Sequence, residues 1–251
     1  MFNTQKLTHD LVKLSKSQYK KKTNLIQFID DEEENKKLND LKHFPHLFVL
    51  ACIMDRQIKA ERAWAISGLI AKEIGSYKIE DMAKISLSQY QDIFKKLKLH
   101  RYNDKLAECF YQGVQKIMTD YRGNAAKIWH NKPSSATVVY RFLQFKGVGI
   151  KIATMATNIL ARQFKIKLSD YYSIDISPDV HIKRIFYRTG LIHKQDKDNI
   201  DMIIYKAREI NPKFPGLIDI ACWHIGRNWC TERKALCHQC PINKYCPKNI
   251  R

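Results

Sequence analysis

The stretch Leu143-Gln144-Phe145-Lys146-Gly147-Val148-Gly149-Ile150-Lys151-Ile152-Ala153 decides how this chain is read. A helical apolar pattern enters it from Ser134 through Ala136, Val139, Tyr140 and Leu143, and a second leaves it through Met155 and Ile159 to Leu160. Between them lies Gly147-Val148-Gly149. Two glycines one residue apart admit positive φ and close approach of the backbone to another molecule. The outgoing helix starts directly after them, so its unpaired N–H groups can face an anion. Helix, glycine hairpin and helix therefore predict a main-chain grip on nucleic-acid phosphate across Lys146, Gly147, Val148, Gly149 and Ile150, blind to base sequence. The same spacing also serves plain structural turns. Lys151, in the first turn of the outgoing helix, and a cysteine cluster further on weigh against the plain turn.

Outward from the hairpin, the chain reads as helix after helix. Upstream, Pro45 is a start signal, and apolar residues recur at helical spacing over His46 to Ile58 and Arg62 to Ile74, the latter ending at Gly75. Further helices are expected over Ile79–Lys84, Leu87–Leu97 and Asn103–Tyr121, and Lys132-Pro133-Ser134-Ser135 is a break followed by an N-cap. Downstream the pattern dissolves over Lys165–Pro178, then resumes over Asp179 to Thr189 (closed by Gly190), Asn199 to Ile210 and Leu217 to Trp229. Residues 1–41 read as basic helix interrupted at Asp30-Asp31-Glu32-Glu33-Glu34, an acidic run expected as a solvated face or a helix N-terminal turn. No stretch sustains period-two alternation, so the fold class is all-α.

The chain has 251 residues, enough for one large or two modest domains with a real core. Lys and Arg number 44 against 25 Asp and Glu, a net charge of +19 that favours a polyanionic partner. There is no run of 18 apolar residues, hence no expected membrane span. Met1 to Lys22 is polar and lysine-rich without an apolar core, so it does not read as a secretory signal, and the expected location is intracellular. Of seven cysteines, Cys52, Cys109 and Cys222 sit in apolar surroundings and read as small buried hydrophobes. Cys230, Cys237, Cys240 and Cys246 crowd together, which favours a metal site over disulfides. Structural zinc sites usually pair two short CxxC knuckles, and only one exists here; four thiolates also satisfy a [4Fe–4S] cluster. Spacing leaves both open.

The pattern Cys-x6-Cys-x2-Cys-x5-Cys, preceded by Trp223-His224-Ile225-Gly226-Arg227 and containing Arg233-Lys234, resembles the C-terminal iron–sulfur loop of the endonuclease III family of DNA glycosylases. Gly147-Val148-Gly149-Ile150-Lys151 resembles that family's helix-hairpin-helix, with the lysine in catalytic register, and Asp179-Val180-His181-Ile182 resembles the segment that holds its essential aspartate. Order and separations agree from about Phe44 to Cys246. The resemblance implies a two-lobed α fold. A six-helix barrel domain would span 44–188, with the hairpin at about 134–160. Residues 1–43 would join 189–251 in a helical domain carrying a [4Fe–4S] loop at 230–246. The active site would lie in the cleft between them.

It also implies roles. Lys151, if its amine is neutral, would attack C1′ of a nucleotide flipped from the duplex, expel the base, and nick the strand by β-elimination. Asp179 would offset positive charge on the sugar or hold the nucleophile, and as a helix cap it is equally at home; Asp175 is the alternative carboxylate. His181 reads as a packing or hydrogen-bonding side chain. Arg233 and Lys234 would form a phosphate-facing basic knob fixed by cluster ligation.

Two departures stand out. Phe145-Lys146-Gly147 replaces the family's Leu-Pro-Gly, and Cys52-Ile53-Met54-Asp55-Arg56-Gln57 places Asp55 where the family has a glutamine that fills the gap left by the flipped base. Gln57 or Arg56 is left to fill it, or the stretch is an ordinary helix face. The expected function is a bifunctional DNA glycosylase and AP lyase acting, as a monomer, on double-stranded DNA with damaged bases or abasic sites, oxidised pyrimidines by family default. A monofunctional glycosylase for mismatched adenine or alkylated bases, and a non-catalytic DNA-binding module, are the alternatives.

Overall fold

Helix boundaries in this chain follow from the residues at each break. The computed structural model describes residues 3–20 and 25–250. Twelve α-helices form among them: α1 (Thr4–Lys20), α2 (Glu32–Asn39), α3 (Pro45–Met54), α4 (Ala60–Ile74), α5 (Ile79–Ala83), α6 (Leu87–Lys96), α7 (Asn103–Tyr121), α8 (Ser135–Leu143), α9 (Ile150–Arg162), α10 (Val180–Arg188), α11 (Ile200–Ile210) and α12 (Asp219–Asn228). No strand forms among the described residues, and one isolated antiparallel bridge joins Cys230 to Ala235. The all-α expectation holds.

The acidic run is a helix N-terminal turn. Asp31 caps α2 by accepting the Glu34 amide at 3.1 Å, and three carboxylates fill the first turn, where the helix dipole favours them. Glu34, however, is no solvated side chain: it is buried, takes the Tyr77 hydroxyl at 2.6 Å and pairs with Lys37 at 3.0 Å. Helix α3 stops at Met54 rather than at Ile58. The Asp55 amide turns back to the Cys52 carbonyl at 3.1 Å, Gln57 takes a left-handed φ of 53°, and His100 Nε2 donates to the Arg56 carbonyl at 2.7 Å.

The chain divides into two compact units, one of Met1–Lys22, Ser134–Val139 and Thr157–Arg251, the other of Thr23–Pro133 and Tyr140–Ala156. In the second, every residue of α3 is buried, and α3 packs against α2, α4 and α7. Phe110 of α7 meets Tyr90 and Phe94 of α6 with ring centroids 5.3 and 6.1 Å apart, and Phe28 stacks on Trp64 at 4.3 Å. In the first, Leu7 and Leu11 of α1, Ile182, Ile185 and Phe186 of α10, Ile203 of α11, and Cys222 and Ile225 of α12 form one core. Helices α10 and α12 approach so closely that a Cβ on Gly226 would lie 2.8 Å from the His181 Cβ. The expected division at 43/44 and 188/189 is therefore displaced. Helix α2 belongs with the α3 core, and 157–188 belongs with the C-terminal helices because α10 buries its apolar face against α12.

Candidate functional site

Phe145 anchors the hairpin. Its buried ring stacks against Tyr121 at 6.1 Å, and its carbonyl accepts the Val148 amide at 3.0 Å. Gly147 takes φ +85°, and a Cβ there would meet Cys109 Sγ at 2.8 Å and Arg56 Nη1 at 3.0 Å. Arg56 donates that Nη1 to the Gly147 carbonyl at 3.0 Å. The turn is thus seated on α7 and tied to the loop after α3. Gly149, which would also admit a left-handed conformation, does not adopt it; among the described residues the positive-φ glycines are Gly75, Gly123, Gly147 and Gly190. Its carbonyl accepts the Ala153 amide at 3.0 Å, which places it at the entrance of α9, and a Cβ there would meet nothing within 4 Å. What its missing side chain provides is open space over the first turn of α9. Gly149, Ile150 and Lys151 are all exposed there. Lys146 is exposed too, with its amine engaged by Glu108.

Of the Asp55-Arg56-Gln57 segment, Arg56 is committed to the hairpin, and Gln57 is exposed with its Oε1 held by Arg101 Nη2 at 2.5 Å. Arg101 lies in turn over the Tyr102 ring at 4.9 Å. Sequence reasoning offered Arg56 only as a gap filler and missed Arg101, because their partners lie 91 and 44 residues away.

The C-terminal unit holds the other expected residues. Asp179 caps α10, its Oδ1 accepting the amides of His181 at 2.9 Å and Ile182 at 2.8 Å. That leaves Oδ2 uncommitted to the cap. Asp175, the alternative, is buried in a bidentate pair with Arg208, at 2.7 Å from Nε and 2.8 Å from Nη2, so both its oxygens are occupied. His181 is a hydrogen-bonding side chain: Arg184 Nη2 donates to its Nδ1 at 2.8 Å, which puts the ring proton on Nε2. Arg184 also donates to the carbonyls of Cys230 at 2.7 Å and Gly226 at 2.9 Å.

Cys230, Cys237, Cys240 and Cys246 are all free thiols, half-buried, lining one hollow with Ile185, Ile225 and Ile242. Cys240 is pushed up to about 11, by burial first and by the three neighbouring thiols after it. Arg188 Nη1 donates to Cys230 Sγ at 3.4 Å, and the amides of Ile242 and Lys248 donate to the sulfurs of Cys240 and Cys246. Among the described residues no three His, Cys, Asp or Glu converge on the position of a single ion. Four thiols ringed around an apolar hollow, with N–H donors on the sulfurs, suit a polynuclear cluster better than one tetrahedral zinc. Arg233 and Lys234 are exposed on a knob the chain closes by itself. Thr231 Oγ1 donates to the Lys234 carbonyl at 2.6 Å, and Arg188 donates to the carbonyls of Thr231 at 2.7 Å and Glu232 at 3.1 Å. Cys52, Cys109 and Cys222 are buried, as expected.

No family model and no curated protein matches the chain. Solved structures do. A trapped endonuclease III–DNA covalent intermediate, an estranged-adenine complex, is similar at TM-score 0.64 and 15% identity, over 99% of this chain and 97% of that one. A non-covalent endonuclease III–DNA complex is similar at 0.59 and 16%, over 86% and 92%. A thermostable thymine-DNA glycosylase is similar at 0.63 and 16%, over 98% and 97%. At such identities the likeness is one of fold, and the fold is endonuclease III-like.

Proposed function

We propose that this chain is a DNA glycosylase of the endonuclease III type with AP lyase activity, acting on double-stranded DNA that carries a damaged base, an oxidised pyrimidine by preference, or an abasic site. The observation that carries the reading is the hairpin: a glycine turn locked from beneath, open above, with Lys151 exposed in the first turn of α9 on a fold shared with DNA-bound endonuclease III.

The amides at the start of α9 take a backbone phosphate, and Lys146 exchanges Glu108 for another. Lys151 is exposed in the free chain, so the water that must leave its amine is displaced by the strand itself. The neutral amine attacks C1′. A C–N bond forms as the glycosidic bond breaks, and the departing base takes the electron pair and a proton. Asp179 offsets the positive charge that develops on the sugar. One amine proton passes to the departing base; the nitrogen lone pair then forms the C=N bond as the C1′–O4′ bond breaks and O4′ takes a proton from water, giving the protonated Schiff base. Removal of a C2′ proton then breaks the C3′–O bond, whose electron pair leaves with the phosphate, and nicks the strand 3′ to the lesion. Cys230, Cys237, Cys240 and Cys246 would hold a [4Fe–4S] cluster, whose contribution is a covalent brace for the loop that presents Arg233 and Lys234.

The comparable likeness to a thymine-DNA glycosylase supports a second reading, a monofunctional enzyme in which water attacks and Lys151 only meets phosphate. Borohydride reduction on abasic-site duplex separates the two. A covalent adduct that disappears in Lys151→Ala is expected. Base release without an adduct moves the assignment to the monofunctional enzyme, and duplex binding with neither removes catalysis altogether.

A further inference from the structure

Once Lys151, Asp179, the Asp175–Arg208 pair and the thiols have roles, one half-buried acid of the C-terminal unit is left over. Asp219 opens α12 and is held from several directions. Asn158 of α9 donates Nδ2 to the Gly216 carbonyl at 2.8 Å and reaches Asp219 Oδ2 at 3.4 Å. The Ser177 amide donates to the Asp219 carboxylate. Arg162, one turn beyond Asn158, supplies the opposing charge, although its buried Nε and Nη1 have no protein partner among the described residues. With the equally unpartnered Asn158 Oδ1, these donors describe a polar pocket suited to ordered water.

The turn that Asp219 grips is the one that carries Asp179. The Asp179 amide donates to the Ser177 carbonyl at 2.7 Å, so Ser177 is bonded through its N–H to one carboxylate and through its carbonyl to the residue bearing the other. We infer that Asp219 is a positioning residue for Asp179: by clamping Ser177 and sharing its buried field, it fixes where the Asp179 carboxylate lies and the negative charge it works with. This rests on the glycosylase reading only for what Asp179 does.

Burial is the largest reason that the Asp219 carboxyl is pushed from 3.8 up to about 6; Asp179 adds to the rise, while Arg162, the Ser177 amide and Asn158 oppose it. The charged and titratable groups around it are Arg162 from α9, Asp179 from the cap of α10, and Cys222 from the next turn of α12, whose thiol burial and both carboxylates push up. Helix α1 also packs on α12 but buries only Leu7, Leu11 and Ser15. Above pH 6 the ionised acid holds the clamp and supports positive charge on a sugar. Below it, both effects weaken together.

The test is the rate of single-turnover nicking of abasic-site duplex from about pH 5 to about pH 8 in the full chain and in Asp219→Asn. The parent is expected to show an acid limb near pH 6. The variant should lose that limb and run about tenfold slower at neutral pH, with duplex affinity within about twofold of the parent. A uniform loss at every pH with the limb retained is what a purely structural residue would give, and would overturn the inference. A parent that binds duplex but neither releases base nor nicks defeats the glycosylase reading instead. Hydrogen exchange then decides the inference without activity. Protection of the Ser177 and Asp179 amides, corrected for intrinsic rate, should fall in the parent as pH drops below 6 and be pH-independent in the variant; protection unchanged across that range in the parent rejects the clamp.

Discussion

Alanine at Gly147 tests whether the hairpin is seated as described, and alanine at Gly149 is its built-in control. At Gly147 the left-handed backbone (φ +85°) costs an L-residue about 1–2 kcal/mol. The new Cβ would also lie 2.8 Å from Cys109 Sγ and 3.0 Å from Arg56 Nη1. Cys109 is buried in α7 and has little room to yield, so overpacking adds about 1–3 kcal/mol. Arg56 can withdraw, but its bond to the Gly147 carbonyl goes with it, at about 1 kcal/mol. These losses overlap, since moving Arg56 relieves one of the two contacts, and the expected total is about 2–4 kcal/mol. At Gly149 the φ is not left-handed and a Cβ meets nothing within 4 Å, so alanine should cost less than about 0.5 kcal/mol of stability. Its methyl group would instead stand over the first turn of α9 and reduce duplex affinity several-fold. Urea unfolding followed by circular dichroism, with duplex titration alongside, reads both. Equal stability losses at the two positions, or a Gly147→Ala variant within about 1 kcal/mol of the parent, would refute the seating of the turn.

The pH dependence of stability should carry the signature of Asp219. Its folded value of about 6 lies above the ordinary 3.8, so its contribution is fully present below the unfolded value and is lost as pH rises through 6, a decline of about 3 kcal/mol. Urea midpoints of the parent and of Asp219→Asn should diverge from about pH 4 to about pH 7, and parallel curves would count against the burial of that acid. Asp175→Asn breaks a bidentate pair with Arg208 and should lower stability by about 2 kcal/mol while leaving adduct formation at Lys151 intact; abolished trapping in a folded variant would reinstate Asp175 as the reactive carboxylate. Cys237→Ser should strip iron and its visible absorbance from the purified protein, and a variant that retains its full iron content would sink the four-thiolate assignment.

Most helices were legible because their signals are local. Pro45, Gly75 and Asp179 each announce a boundary next to where it falls. What the sequence concealed was decided at a distance. The end of α3 depends on His100, which holds the Arg56 carbonyl from 44 residues away. Glu34 looked solvated because its acidic neighbours are, and only Tyr77, 43 residues on, reveals it as buried. The glycine doublet was read symmetrically, yet only the first glycine faces a thiol and an arginine. Asp219 had no motif at all: an aspartate in the first turn of a helix reads as a dipole partner, and its environment comes from α9 and the Ser177 turn.

Helix α10 carries two unrelated duties on nine residues. Its leading end is capped by Asp179, while Arg184 and Arg188 further along fasten the carbonyls of Cys230, Thr231 and Glu232. A rod of that length, about 13 Å, is too short to flex, so whatever loosens the cysteine loop tilts the acid at its other end. A lineage that lost the four cysteines could not simply delete the loop; it would first have to find another mooring for those two guanidinium groups.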